Sequence, residues 1–176
     1  MNYNANFTQL PVQALFDFKA KNKKLLRSWV GNALPPFPQN PNTHTQKDDL
    51  LLCYLGRYRW LLRGPLSRET NLLTSLRPQI APAAISIVLI SDSLTFFRIT
   101  GKDASEVVSI GCPLDLHPSV FGSNAVTYTE FFGQKALIQR TPRGFDCAVD
   151  RSFGAMIKDY LNRIIEEIAN SNPQIS

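Results

Sequence analysis

The 176-residue sequence predicts an α+β domain, a mainly antiparallel sheet of hairpins with two or three packed helices. Three observations carry this. Short apolar runs rich in β-branched and aromatic residues come in pairs at 50–62, 84–100 and 126–140, each pair split by a turn signal. Helical spacing separates the pairs at 67–76 and 103–111, and closes the chain from Phe153 to Ile168. Hairpins interleaved with helices favour an antiparallel sheet over the parallel sheet of strict strand–helix alternation. A chain of this mass buries about 70% of its unfolded surface, enough for a core without disulfide staples.

The first 49 residues read differently. Pro11, Pro35, Pro36, Pro38 and Pro41 lie there, four of them in LPPFPQNPNTHT. Proline removes backbone donors and holds φ at about −65°. Residues 1–49 are therefore expected to be an extended proline-rich arm without helix or strand, and 50–176 the folded domain. In that domain, 50–55 and 58–62 form a hairpin whose turn, Gly56-Arg57, uses glycine for positive φ. Ser67 caps a helix whose Leu72, Leu73 and Leu76 share a face, and Pro78 stops it after Arg77. Residues 84–91 and 94–100 form a second hairpin around Asp92-Ser93. Asp103 opens a helix, with Glu106 three residues on as in a capping box; Gly111 ends it and Pro113 prevents its resumption. Residues 126–132 and 135–140 make a third hairpin around Gly133-Gln134, and 144–149 adds a strand. Last, Phe153, Met156, Ile157, Tyr160, Leu161, Ile164 and Ile168 form a stripe expected to bury against the sheet, with Ser152 as its cap.

Composition narrows the class. Hydrophobic residues are 44% and charged residues 19%, which excludes a disordered or fibrous chain. Apolar runs fall far short of the ~20 residues of a membrane helix. MNYNANFTQL lacks the basic start and apolar stretch of a secretory signal, so a cytoplasmic protein with no membrane partner is expected. Cys53, Cys112 and Cys147 are odd in number and far apart, which points to reduced, buried thiols.

The net charge of +5 is uneven. Residues 1–88 hold 11 Lys/Arg against 4 Asp/Glu, and residues 89–176 hold 8 against 10. The excess lies in Lys19, Lys21, Lys23, Lys24 and Arg27, then in Arg57, Arg59, Arg63, Arg68 and Arg77. A solvated face explains such a bias most simply, an acidic protein partner next, and nucleic acid last. In GRYRWLLR (56–63), strand alternation puts Arg57, Arg59 and Leu61 on one side and Tyr58, Trp60 and Leu62 on the other. Aromatics in a core with arginines outside account for the segment, so no nucleic-acid partner is expected.

The search for chemistry ends on negatives. No two glycines are two residues apart, so there is no GxGxxG, and Gly101-Lys102 lacks the rest of a P-loop. Cys112, Asp115 and His117 could be drawn as a metal set, but two prolines punctuate the stretch and no partner pair exists elsewhere. Cys112 with His117, or Ser152 with a histidine, could be drawn as nucleophile and base. Cys112 follows a helix C-terminus, whose negative end raises a thiol pKa. No catalytic, cofactor-binding or metal-binding residue is assigned.

Three segments together carry a resemblance. RITGKDASEVVSIGCPLDLHPSVF (98–121), the strand around Thr127, and FDCAVDRSFGAMIKDYL (145–161) resemble the gamma subunit of heterotetrameric sarcosine oxidase. Matching elements are Arg98-Ile99-Thr100-Gly101, the run from Cys112 to Pro118, Phe121, Thr127 and Arg151-Ser152-Phe153. LLLCYLGRYRWLL (50–62) is similar to that family's L-x-L-G-P-D-E-W-L-L hairpin, with a basic turn replacing an acidic one. Leu89-Ile90-Ser91 stands where the family often has D-L-S, so one carboxylate is missing.

The resemblance implies a fold like the N-terminal part of folate-dependent aminomethyltransferases, and a structural subunit with no cofactor of its own. It implies alpha, beta and delta subunits as partners, which hold FAD, FMN, NAD, the tetrahydrofolate site and zinc. The whole complex would demethylate sarcosine oxidatively to glycine. A free-standing folate-binding protein of the aminomethyltransferase type is the second reading, and a basic nucleic-acid-binding module the third.

Overall fold

Pro11 divides a stretch of chain that is extended on both sides of it. β1 (Ala5–Gln9) and β2 (Gln13–Ala20) flank Leu10-Pro11-Val12 and join different sheets. The computed structural model describes residues 4–169. After β2, the Asn22 side-chain oxygen accepts from the N–H groups of Lys24 (3.0 Å) and Leu25 (3.1 Å), starting α1 (Lys23–Val30). Gly31, at φ 56°, ends it. β3 (Thr43–Lys47), β4 (Leu50–Gly56) and β5 (Arg59–Pro65) pair antiparallel in succession. α2 (Glu69–Leu76) stops at Arg77, left-handed at φ 47°, before Pro78. β6 (Ile85–Leu89), β7 (Leu94–Gly101) and α3 (Ala104–Gly111) follow. β8 (Val126–Phe131), β9 (Gln134–Thr141), β10 (Gly144–Asp150) and α4 (Gly154–Ala169) complete the order. The architecture is α+β, with two antiparallel sheets and four α-helices among the described residues.

These elements form two compact units, one from residues 4–11, 94–123 and 128–169, the other from 12–93 and 124–127. The second unit holds the sheet β3-β4-β5-β2-β6. On one face Phe16 and Phe18 of β2 meet Trp60 and Leu62 of β5 across the register, and α1 and α2 add Leu26, Val30, Leu72 and Leu76 to this core.

Residues 4–49 therefore do not form the extended arm expected over 1–49. β2 lies between β5 and β6, and the proline-rich segment itself enters the core through Leu34 and Phe37. The Phe37 ring stands edge-on to Trp60 with centroids 5.7 Å apart, while Tyr54 stacks on the same indole at 5.2 Å. Prolines restrict backbone angles, but they leave the side chains between them free to pack.

The first unit holds the sheet β1-β7-β10-β9-β8, with α3 and α4 against it. Asp146 and Arg98 sit directly opposite each other on β10 and β7 and form a two-pronged ion pair at 2.7 and 2.8 Å. The terminal stripe is narrower than its period predicts. Ile157 and Leu161 are fully buried, Met156 and Ile164 half-buried, and Phe153 and Tyr160 exposed. The side chain of Ile168 lies outside the described residues. Leu161→Ala is expected to cost about 2–5 kcal/mol as a core cavity, and Ile164→Ala under about 2. Urea melts of the two variants check the order; equal losses would show that both positions face the core alike.

Turns and caps depart from expectation in specific ways. β6 and β7 are not a hairpin, because Asp92-Ser93 carries the chain from one sheet to the other. The third hairpin turns one residue early, at Phe132-Gly133, with both residues at positive φ (49° and 75°). Phe132 tolerates this because its ring packs on Phe131 and Tyr160 at 4.6 and 5.1 Å and its N–H bonds the Gly111 carbonyl. Asp103 caps α3 without a side-chain bond to the helix and instead accepts from the Asn4 N–H at 2.6 Å. Before α4, Asp150 rather than Ser152 does the capping: its carboxylate accepts from the Ser152 N–H (2.9 Å) and hydroxyl (2.6 Å). These two bonds lower the Asp150 pKa.

Candidate functional site

Asp115, His117 and Ser152 are held in local structural roles. Asp115 accepts from the His117 N–H at 2.9 Å, the bond of a turn, and His117 Nδ1 faces the Ser119 hydroxyl at 2.7 Å. Cys112 is buried, and burial pushes its thiol up despite hydrogen bonds with Leu114 and Thr129. No group of three metal-ligating side chains occurs among the described residues. The Ser152 hydroxyl donates to Asp150, not to a histidine. Burial pushes Cys53 up to about 12, and raises Cys147 well above its ordinary value. Thiols held protonated in this way are poor nucleophiles and poor metal ligands.

His44 lies on β3, and its pKa is lowered first by burial, with the Arg63 charge adding to the effect and a hydrogen bond to the Asn124 backbone opposing it. Its Nδ1 is buried without a partner. On acidification below about 6.5 the unfolded chain takes up this proton before the folded chain does. Stability is thus whole above that pH and falls as pH drops toward the folded-state pKa. His44→Gln is expected to flatten that part of the profile, as urea midpoints between mildly alkaline and mildly acidic buffer would show; an unchanged slope would place the proton uptake elsewhere.

The basic residues sort into two groups. Several are used internally. Lys23 donates to the Pro38 carbonyl at 3.1 Å and lies over the rings of Phe37 and Tyr54, and Arg27 lies over Phe37. Arg77 covers Trp29 at 4.3 Å, and the Trp29 indole N–H donates to the Leu76 carbonyl. Arg63 is buried, with its Nε 3.4 Å from Gln13 Oε1.

Lys19, Lys21, Arg57 and Arg59 converge at one end of the second sheet. The β4–β5 turn is Arg57-Tyr58, with Tyr58 at φ 67°, so Tyr58 leaves the expected strand face and stands exposed while Trp60 stays in the core. The register then sets Arg59 beside Lys19, and Lys19 beside Ser86. Together with Lys21, Arg57, Ala83 and Ala84 they line an open groove of about 410 Å³. Asp17 partly balances it, 2.7 Å from Arg59 and 3.9 Å from Lys19. The sequence shows all four cations, but in two clusters whose meeting it does not reveal. The missed signal was QALFDFKA, a strand-length segment with Ala14, Leu15, Phe16 and Phe18, closed by Pro11 before it and Asn22 after it.

No protein-family model and no curated protein matches the sequence. Solved structures do. A chain of heterotetrameric sarcosine oxidase from Corynebacterium sp. U-96 superposes with a TM-score of 0.84 at 18% identity, over 98% of this chain and 88% of that one. Aminomethyltransferase T of the glycine cleavage system from Bartonella henselae superposes at 0.65 and 14% identity, over 92% of this chain but only 46% of its own. This chain therefore spans less than half of that enzyme. The two sheets and four helices described above have the fold of a chain of heterotetrameric sarcosine oxidase, which aminomethyltransferase T also contains as part of a longer chain.

Proposed function

We propose that the chain is a non-catalytic, structural subunit of a cytoplasmic, sarcosine-oxidase-like flavoenzyme complex. The observation that carries this reading is the reach of the likeness, 98% of this chain and 88% of the other. Two chains of similar length share one fold over most of both. Such a complex oxidises the N-methyl group of sarcosine, or of a related methylated amine. Water and oxygen are consumed, and glycine, formaldehyde and hydrogen peroxide leave; tetrahydrofolate can take the carbon as methylene-tetrahydrofolate instead. In this reading FAD, FMN, NAD, tetrahydrofolate and zinc reside in alpha, beta and delta subunits, and this chain adds surface rather than chemistry. The structural commitments of Cys112, His117 and Ser152 support that division.

The second reading, a free-standing folate-binding protein, draws on the match to aminomethyltransferase T. It is weaker because more than half of that enzyme has no counterpart here and Leu89 stands in place of an acid. Purification of the tagged chain from the cell that makes it separates the two. The expected result is co-elution with a flavin-containing assembly that releases hydrogen peroxide when given sarcosine. A chain that elutes alone and quenches on titration with tetrahydrofolate would replace the first reading by the second.

A further inference from the structure

We infer that the groove at the β2–β5–β6 end is a docking site for an extended, acidic segment of a partner chain, which adds to β6 as a further strand. The inference rests on the subunit reading above and names the surface through which assembly would occur. Its first support is the open edge. Among the described residues β6 is the last strand of its sheet and pairs with β2 alone. The Ile90 N–H bonds the Leu15 carbonyl, so by antiparallel alternation Val88 and Ser86 point their backbone groups at β2, whereas Ile87 and Leu89 point theirs away from the sheet. Those outward groups are the template for a polypeptide strand.

The second support is what lies beside that edge. Val88 and Leu89 are 48% and 39% exposed, which gives an added strand apolar contacts on both faces. At the Ser86 end the groove brings Lys19, Lys21, Arg57 and Arg59 together. Ser86 is the β6 residue next to Lys19, and its short side chain leaves the way open across the strand. A glutamate on the added strand would start about 10 Å from the β2 backbone, two strand spacings, which a lysine and a glutamate side chain together can bridge. Lys21 and Arg57 make no ion pair among the described residues, unlike Arg59 and Lys19, which share Asp17. They are therefore the cations with most to gain from a carboxylate.

The same features disfavour a nucleic acid. The Tyr58 ring already carries the Arg57 guanidinium 4.9 Å from its centroid, so the aromatic of the groove is covered rather than presented for base stacking. Outward backbone amides and carbonyls suit a peptide, which offers both partners in alternation, better than a phosphate chain, which only accepts.

The test uses the full chain and a fluorescein-labelled peptide of about ten residues alternating Glu and Val, followed by anisotropy. The peptide is expected to bind, and the double variant Lys21→Glu/Arg57→Glu to weaken it about tenfold or more with a shallower salt dependence. A version of the peptide N-methylated at alternate residues is expected to lose binding as well, because strand addition needs those amides. Unchanged binding by the double variant overturns the inference, and so does equal binding of the N-methylated peptide. Tighter binding of a single-stranded oligonucleotide of the same charge would put nucleic acid in the groove instead. The double variant is also purified from its own cell. If the wild-type chain assembles and the variant assembles equally well, only the groove is refuted. If the wild-type chain elutes alone, the subunit reading falls, while the peptide result still decides what the groove binds.

Discussion

Deletion of residues 1–45 is expected to leave a chain that does not fold. The cut removes β2, which hydrogen-bonds along its length to β5 on one side and β6 on the other. It also removes Leu15, Phe16, Phe18 and Leu26, all at 0% exposure, together with Phe37. Burying each such side chain contributes about 1.5–3 kcal/mol, so the five together contribute roughly 10. A domain of ordinary stability has only about 5–15 kcal/mol in all. The truncated chain is therefore expected to be insoluble, or to show neither a cooperative urea transition nor dispersed amide resonances. A shorter cut, residues 1–9, takes only the edge strand β1 and leaves every residue of the second unit in place. It is expected to fold with reduced stability. Should the longer truncation melt cooperatively near the wild-type midpoint, the first 45 residues would be the appendage that their prolines suggest.

This contrast shows which signals in the sequence were legible. α4 repeats a helical period, and the structure follows it at Ile157 and Leu161, the centre of the stripe. β2 has no period to read, because Ala14 to Phe18 are buried on both faces, Asp17 among them, so apolar residues do not alternate with exposed polar ones. The neighbouring prolines report on backbone angles alone, so they hid the packing of Leu34 and Phe37. Asp92-Ser93 is a true turn, but a turn signal is local and pairing is not. The same two residues serve whether the next strand returns to its neighbour or enters another sheet. Phe132 at positive φ is legible only from the tertiary contacts that hold its ring.

The groove follows the same logic. Lys19 and Lys21 come with β2 and its end, Arg57 and Arg59 with the start of β5, and Ser86 with β6. Only the register of three strands distant in sequence brings them together. Without β2 as a strand, the two basic clusters read as separate patches of surface charge.

Gly144→Ala is expected to be the most damaging single substitution in the first unit. Gly144 opens β10 at φ 151°, a conformation that side-chain-bearing residues rarely adopt, and an added Cβ would lie 2.1 Å from the Ile99 carbonyl oxygen. That atom is backbone of β7, so it cannot swing away as a side chain would. Relief requires β7 and β10 to part, and β10 is held between β7 and β9 with Phe145, Cys147 and Val149 fully buried. The expected loss is above about 4 kcal/mol, since strain and disrupted packing act together. Two other glycines calibrate it. At Gly101, φ 121°, an added Cβ would lie 2.2 Å from the Asn4 carbonyl oxygen, but β1 is an edge strand and can detach alone, so about 2–3 kcal/mol is expected. At Gly133, φ 75°, nothing lies within 4 Å, and alanine there meets only the left-handed penalty of about 1 kcal/mol. Urea melts of the three variants should rank Gly144 above Gly101 above Gly133. If Gly144→Ala melts within about 1 kcal/mol of wild type, β7 and β10 do not approach as closely as their register requires, and β10 is not the strand that holds this sheet together.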